Sequence, residues 1–286
     1  MPKTLKELVS DRANALLLPG AANTLSAKII EDLGFNAVYM SGAGVTNTDL
    51  ALPDLGFITL DQIVTTVGRM RDVIEIPIVV DIDTGFGNAL NVTHCVRTLE
   101  RVGANAIQIE DQIFPKRCGH FTGKEVEPLE DMITKVKAAV DTRKSEDFLV
   151  IARTDAVATS GIDEALTRAN AFVEAGADII FVEALTTRED IELIPKQINI
   201  PLLINMVEGG KTPILEKVDL EKMGYSVILY ANSAMRGAMK GMQDVLKVLL
   251  TTGSTNSALD KMVEWSERQR LVGKDKYDEM EVRYKS

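Results

Sequence analysis

The sequence predicts a (β/α)8 barrel of the TIM type, and three observations predict it. Eight short apolar runs alternate with amphipathic stretches along the chain. Those runs are nearly all apolar rather than alternating, as in parallel strands covered on both faces. The chain has 286 residues, which suits one barrel of the usual length, about 250 residues plus extensions. A doubly wound open sheet is the competing architecture, but eight units without a change of rhythm favour closure.

The strand-like runs fall at 15–19, 37–41, 76–81, 106–110, 149–153, 179–183, 202–205 and 227–230. Helix-like stretches lie between them, for example 26–33 and 163–175. Several of these end in one pattern, Asp-Leu-Gly-Phe at 32–35, Arg-Val-Gly-Ala at 101–104 and Glu-Ala-Gly-Ala at 174–177, with Lys-Met-Gly-Tyr at 222–225 before the last strand. A glycine just past the last helical turn, with a strand following at once, is a C-terminal cap signal. After the eighth strand, helices are predicted over 236–250 and 257–272, joined by a turn at 251–256. We therefore expect one barrel domain over 1–286, with 237–286 as a C-terminal helical extension exchanged between subunits of a homo-oligomer.

Composition narrows the function. A formal charge of −10 argues against a nucleic-acid surface, which needs clustered Lys and Arg. Two cysteines cannot build a disulfide framework. The N-terminus lacks a basic-then-apolar leader, and no apolar run reaches the roughly 18 residues of a membrane span. The expectation is a soluble cytoplasmic enzyme acting on a small molecule, without nucleic-acid or membrane partners.

In such barrels chemistry belongs at the C-terminal ends of the strands, and polar residues recur there: Tyr39-Met40-Ser41-Gly42, Asp81-Ile82-Asp83, Glu110-Asp111-Gln112, Arg153-Thr154-Asp155, Glu183, Asn205 and Tyr230-Ala231-Asn232-Ser233. Asp81, Asp83 and Glu110 are hard oxygen donors on neighbouring strands, a set that suits Mg²⁺ or Mn²⁺. Salt bridges to Arg153 or Lys116 are the competing reading. After the fourth strand comes Lys116-Arg117-Cys118-Gly119-His120. Neighbouring cations favour a thiolate at Cys118, and Pro115 and Pro128 bracket a stretch able to act as a lid. Cys95, on an apolar helical stripe, reads as packing. Ser41-Gly42-Ala43-Gly44 offers backbone N–H groups to an anion, and Arg236 a planar fork for a carboxylate.

These residues together resemble the isocitrate lyase and phosphoenolpyruvate mutase superfamily. The matching pieces are Leu52-Pro53-Asp54-Leu55-Gly56, Asp81 to Asn88, Ile109 to Gln112, Lys116 to His120, Ala152 to Ala156 and Asn205 to Gly210, in order over nearly the whole chain. The likeness is to the branch holding 2,3-dimethylmalate lyase and 2-methylisocitrate lyase. It implies a magnesium-dependent cleavage of a 2-hydroxy di- or tricarboxylate to pyruvate and a carboxylic acid, in a homotetramer. By that resemblance Asp83 is the principal metal ligand, with Asp81 and Glu110 direct or through water, and Asp54 orients the metal's water shell. Ser41, Gly42 and Ala43 hold the substrate carboxylate, Arg153 its oxyanion, and Glu183, Asn205 and Arg236 complete the lining with Gly119. Cys118 is the general acid, with Tyr39, Lys116 and His120 also in the catalytic set. Ala43, Gln108 and Gly209 depart from the methylisocitrate lyase pattern while Arg236 keeps it, so the substrate stays open between the two. An oxaloacetate hydrolase or decarboxylase, and a carboxyphosphonoenolpyruvate-type phosphonomutase, are the competing activities.

Overall fold

The computed structural model describes residues 3–11, 13–117, 119 and 123–285. Eight parallel strands close into a barrel in chain order: β1 (Leu16–Ala21), β2 (Val38–Met40), β3 (Ile78–Asp81), β4 (Ala106–Glu110), β5 (Leu149–Thr154), β6 (Ile179–Val182), β7 (Leu202–Asn205) and β8 (Val227–Tyr230). The expected barrel is present; β4, β7 and β8 have the expected bounds, and the other strands differ by a residue or two. Ser41 leaves β2 to cap the helix Gly42–Val45, accepting the N–H of Gly44. Glu183 lies just past β6, next to Ala184 at φ +62°.

The repeated glycine endings are Schellman caps. After the helix Thr24–Asp32, the Gly34 N–H donates to the Glu31 carbonyl and the Phe35 N–H to that of Ile30. The same pair of bonds closes the helices before Gly103, Gly176 and Gly224. Each glycine has a positive φ, 88° at Gly34 and 97° at Gly103, which a residue without Cβ adopts at no cost. The reversal feeds the chain straight into the next strand.

Strand parity then divides the side chains. One set packs inside the barrel: Leu16 and Leu18, Ala37 and Tyr39, Val79, Ala106, Leu149 and Ile151, Ile179 and Phe181, Leu203, Val227 and Leu229. Leu5 and Val9 of the helix Leu5–Ser10 join this interior cluster. The other set, including Met40, Val80, Ile107, Val150 and Ile204, packs with the helices around the barrel. Two residues further along the interior rows of β2 to β7, the apolar side chain gives way to a polar one at the C-terminal end.

The chain forms two compact units, 1–233 and 234–286. In the second, the helix that begins at Ser233 runs to Thr252 without a buried residue. The single helix expected over 257–272 is instead a 3-10 turn, Asn256–Lys261, and a helix, Trp265–Leu271, with a further helix Lys274–Tyr284. Met262 is extended (φ −123°, ψ 146°) and interrupts the helical run. Met239, Met242, Leu246 and Leu250 of the long helix are exposed. No helix of the described residues is long and apolar enough to cross a membrane.

Candidate active site

The interior rows end in Tyr39 and Ser41, Asp81 and Asp83, Gln108 and Glu110, Arg153 and Asp155, Glu183, and Asn205, all of them buried. Period-two spacing explains why they share one end of the barrel. Asp81 is turned onto the backbone, accepting N–H bonds from Gly42 (3.2 Å) and from Asp83 (3.1 Å). Asp83 itself sits at φ +49°, a region that non-glycine residues seldom occupy and that clusters at functional sites. The Ser41 hydroxyl donates to Asn232 Oδ1. Tyr39 donates its hydroxyl to Gln108 Oε1 at 2.6 Å. Burial, reinforced by Asp81, holds that phenol well above its ordinary pKa, so it stays protonated.

Lys116 and Arg153 are the cations among these acids. Lys116 Nζ bonds Asp54 Oδ1 and lies 2.8 Å from Asp83 Oδ1. Burial alone would discharge the ammonium, but Asp83, Glu110 and Asp54 outweigh it and push its pKa well up. Arg153 donates through Nε and Nη2 to the two oxygens of Asp155, at 2.9 and 3.0 Å. Its Nη1 lies 2.9 Å from Glu110 Oε2, its Nη2 3.7 Å from Glu183 Oε2, and the guanidinium sits 5.3 Å from the Phe181 ring centre. Burial would raise the Asp155 carboxyl; Arg153 and Lys124 overcome that and hold it below the usual carboxylate range. Asn205 donates to Glu183 at 3.4 Å.

The acids are not all satisfied. Asp83 Oδ1 and both carboxylate oxygens of Glu110 are buried without a hydrogen bond, the nearby Lys116 and Arg153 lying outside hydrogen-bonding geometry. Burial pushes the Asp83 carboxyl up to about 6, against the pull of Lys116. It likewise drives Glu110 well above the carboxylate range, against Arg153. Among the described residues, the carboxylates of Asp54, Asp81, Asp83, Glu110, Asp155 and Glu183 outnumber the cations Lys116, Lys124 and Arg153. Orphaned hard oxygens with an excess of negative charge fit a small divalent cation. As they stand, no three His, Cys, Asp or Glu side chains of the described residues converge to hold a metal ion. Mg²⁺ is commonly held through one or two carboxylates with water completing the shell.

The loop after β4 closes at its base as a short antiparallel pair. Gln112 bridges Val126, Ile113 N–H bonds the Glu125 carbonyl, and Glu127 N–H bonds that of Asp111. The Gln112 side chain also accepts from the Arg117 N–H and donates to its carbonyl. From this base Lys116 turns inward. Cys118 and His120 lie outside the described residues, but Gly119 does not: a β-carbon there would sit 2.6 Å from Arg153 Nη2 and 2.7 Å from Glu183 Cγ. Arg236 lies in the 234–286 unit. Cys95 is fully buried, its thiol pushed up to about 12 by burial, in keeping with a packing role.

Two polar residues that the structure makes central have no role in the sequence reading, Asp155 and Lys124. Asp155 was visible as a strand-end residue but unassigned, and Lys124 was not visible at all. Asp111 takes the Asp155 N–H (2.9 Å), the Thr154 hydroxyl (2.7 Å) and Arg168 Nη1 (3.2 Å). It braces β5 rather than facing Asp83.

The sequence matches the family model described as phosphoenolpyruvate phosphomutase over residues 5–250. It is 43% identical to 2,3-dimethylmalate lyase of Eubacterium barkeri over 98% of this chain and 96% of that protein. It is 42% identical to 2-methylisocitrate lyase of Aeropyrum pernix, over 97% and 89%. Among solved structures it is similar to a crystal structure of 2,3-dimethylmalate lyase, with a TM-score of 0.92 at 32% identity over 98% of this chain and 94% of that one. It is also similar to phosphonopyruvate hydrolase in complex with oxalate and Mg²⁺, with a TM-score of 0.89 at 29% identity over 99% and 100%.

Proposed function

Because this chain belongs to the phosphoenolpyruvate phosphomutase family, within the superfamily shared with isocitrate lyase, we infer that its strand-end site breaks a carbon–carbon bond in a 2-hydroxy acid. The chain is a carbon–carbon lyase. Its substrate is a methyl-branched 2-hydroxy di- or tricarboxylate of the 2,3-dimethylmalate or 2-methylisocitrate type. The products are pyruvate and a second carboxylic acid. One observation carries this reading: Arg153, clamped by Asp155, lies under Gly119 of the cysteine loop and beside the unbonded oxygens of Glu110.

The residues divide the work. Asp83 and Glu110, with Asp81 and Asp54 behind them, would hold Mg²⁺, which when bound supplies positive charge that makes the substrate hydroxyl more acidic and steadies the product oxygen. The Ser41 to Ala43 backbone at the start of the Gly42–Val45 helix and Asn205 orient the carboxylates. The hydroxyl proton passes to solvent water at the open end of the barrel, and the oxygen electrons form the C=O of pyruvate as the C2–C3 bond breaks. The bond pair passes to C3, giving the enolate of the second acid. Arg153 meets the negative charge that grows during cleavage. Cys118 gives its Sγ proton to C3 as general acid; its chain neighbour Gly119 leaves no room for a β-carbon beside Arg153 and Glu183. We further propose that the exposed apolar stripe of the Ser233–Thr252 helix is covered by another copy of the chain in a tetramer.

The test is pyruvate release, coupled to lactate dehydrogenase, from 2,3-dimethylmalate, 2-methylisocitrate and isocitrate in the presence of Mg²⁺, with glyoxylate followed for isocitrate. One of the methyl-branched acids is expected to yield pyruvate. Silence with every hydroxy acid overturns the reading.

A further inference from the structure

We propose that Lys124 is a positioning residue for the lyase reaction, tying the Gly119 carbonyl of the cysteine loop to the Asp155–Arg153 pair in the barrel. Lys124 Nζ donates to the Gly119 oxygen at 2.6 Å and to Asp155 Oδ1 at 2.6 Å. Its side chain is 1% exposed and that of Asp155 fully buried. Burying an ammonium is costly unless it is paired and hydrogen-bonded. Asp155 does not need a second cation for balance, since Arg153 already grips both its oxygens. What Lys124 adds is the bond to the loop.

The contacts form a closed ring. Gly119 lies against Arg153 so closely that a β-carbon there would collide with Nη2. Arg153 is held by Asp155, Asp155 by Lys124, and Lys124 holds the carbonyl of Gly119. The ring is anchored in the barrel, because Asp111 fixes the Asp155 N–H and Arg168 steadies Asp111. Lys124 therefore sets the position of the residue next to Cys118 relative to the guanidinium. Its role in turnover rests on the lyase reading; the tether itself does not.

Two readouts on the full-length chain separate these. In Lys124→Met, kcat for pyruvate release is expected to fall about 100-fold with KM little changed, as for a misplaced rather than missing group. Lys124→Arg, which keeps the charge and a donor, is expected to recover most of that loss. In the absence of any hydroxy acid, alkylation of Cys118 by iodoacetamide should quicken about tenfold in Lys124→Met, the loop having lost a charge-assisted hydrogen bond. Cys95 is buried and its alkylation is resolved from that of Cys118 by peptide mapping. Should the methionine variant not fold, Lys124→Gln carries the same two measurements. An alkylation rate equal to wild type, or turnover within threefold of a wild-type enzyme that cleaves the substrate, overturns the proposal. A wild type that releases no pyruvate sinks the lyase reading instead, and the alkylation rate then decides for or against the tether.

Discussion

Replacing Arg153 with lysine probes the centre of the site while preserving its charge. Arg153 meets Asp155 at 2.9 and 3.0 Å, Glu110 at 2.9 Å and Glu183 at 3.7 Å. Lysine ends in one compact ammonium without the planar fork, so it satisfies one of these acids well and abandons the rest. Glu110 and Glu183 lose their cation and stand as uncompensated buried carboxylates, a loss of about 3 to 5 kcal/mol. For a chain of this size that lowers the melting temperature by about 6 °C or more. The expected loss in kcat is about 10² to 10³-fold, as for removing a preorganised donor from a growing negative charge. Pyruvate release at saturating Mg²⁺ and hydroxy acid gives kcat, and differential scanning calorimetry gives the melting shift. A variant that melts early yet turns over within threefold of wild type would make Arg153 a structural brace and refute its electrostatic role.

The other predictions touch the metal, the loop and the acid. Mg²⁺ is expected to raise the melting temperature at pH 8 and to do so less as pH falls through about 6, where the Asp83 carboxyl takes up its proton; Asp83→Asn should remove the shift, and a pH-independent shift would exclude Asp83 as a ligand. Without metal the sign is opposite: the folded-state pKa lies above the unfolded value of about 3.9. Ionised Asp83 thus weakens the metal-free fold above pH 6, and protonation recovers that stability as pH falls. Gly119→Ala places a β-carbon against Arg153 and Glu183, so kcat is expected to drop about 100-fold through misplacement; turnover near wild type would show that the loop does not rest there during reaction. Cys118→Ser should cost about 10² to 10⁴ in kcat as a general acid is lost, with the Mg²⁺ melting shift intact, and full activity would end its assignment as the acid.

How far the sequence could be read follows from which contacts are periodic. The barrel was legible because each strand and each glycine cap is a local pattern repeated around the fold. So were Asp81, Asp83, Glu110, Arg153, Glu183 and Asn205 as residents of one end of the barrel, since strand parity and position are properties of a short window. Their pairing was not legible. Lys116 meets Asp54 across 62 residues, and Lys124, standing between a glycine and a glutamate on a loop, reads locally as a solvated charge. It is drawn inward by Asp155 and the Gly119 carbonyl, a demand that exists only once the loop folds over the barrel. The substrate is illegible for a related reason. Gln108 lies in the interior row one step below Glu110 and receives the Tyr39 hydroxyl. That bond joins two neutral side chains and leaves the charges at the strand ends as they are. Neutral contacts of that kind leave no periodic mark in the sequence, whereas the acids and cations of the strand ends do, which is why the chemistry can be argued further than the choice of hydroxy acid.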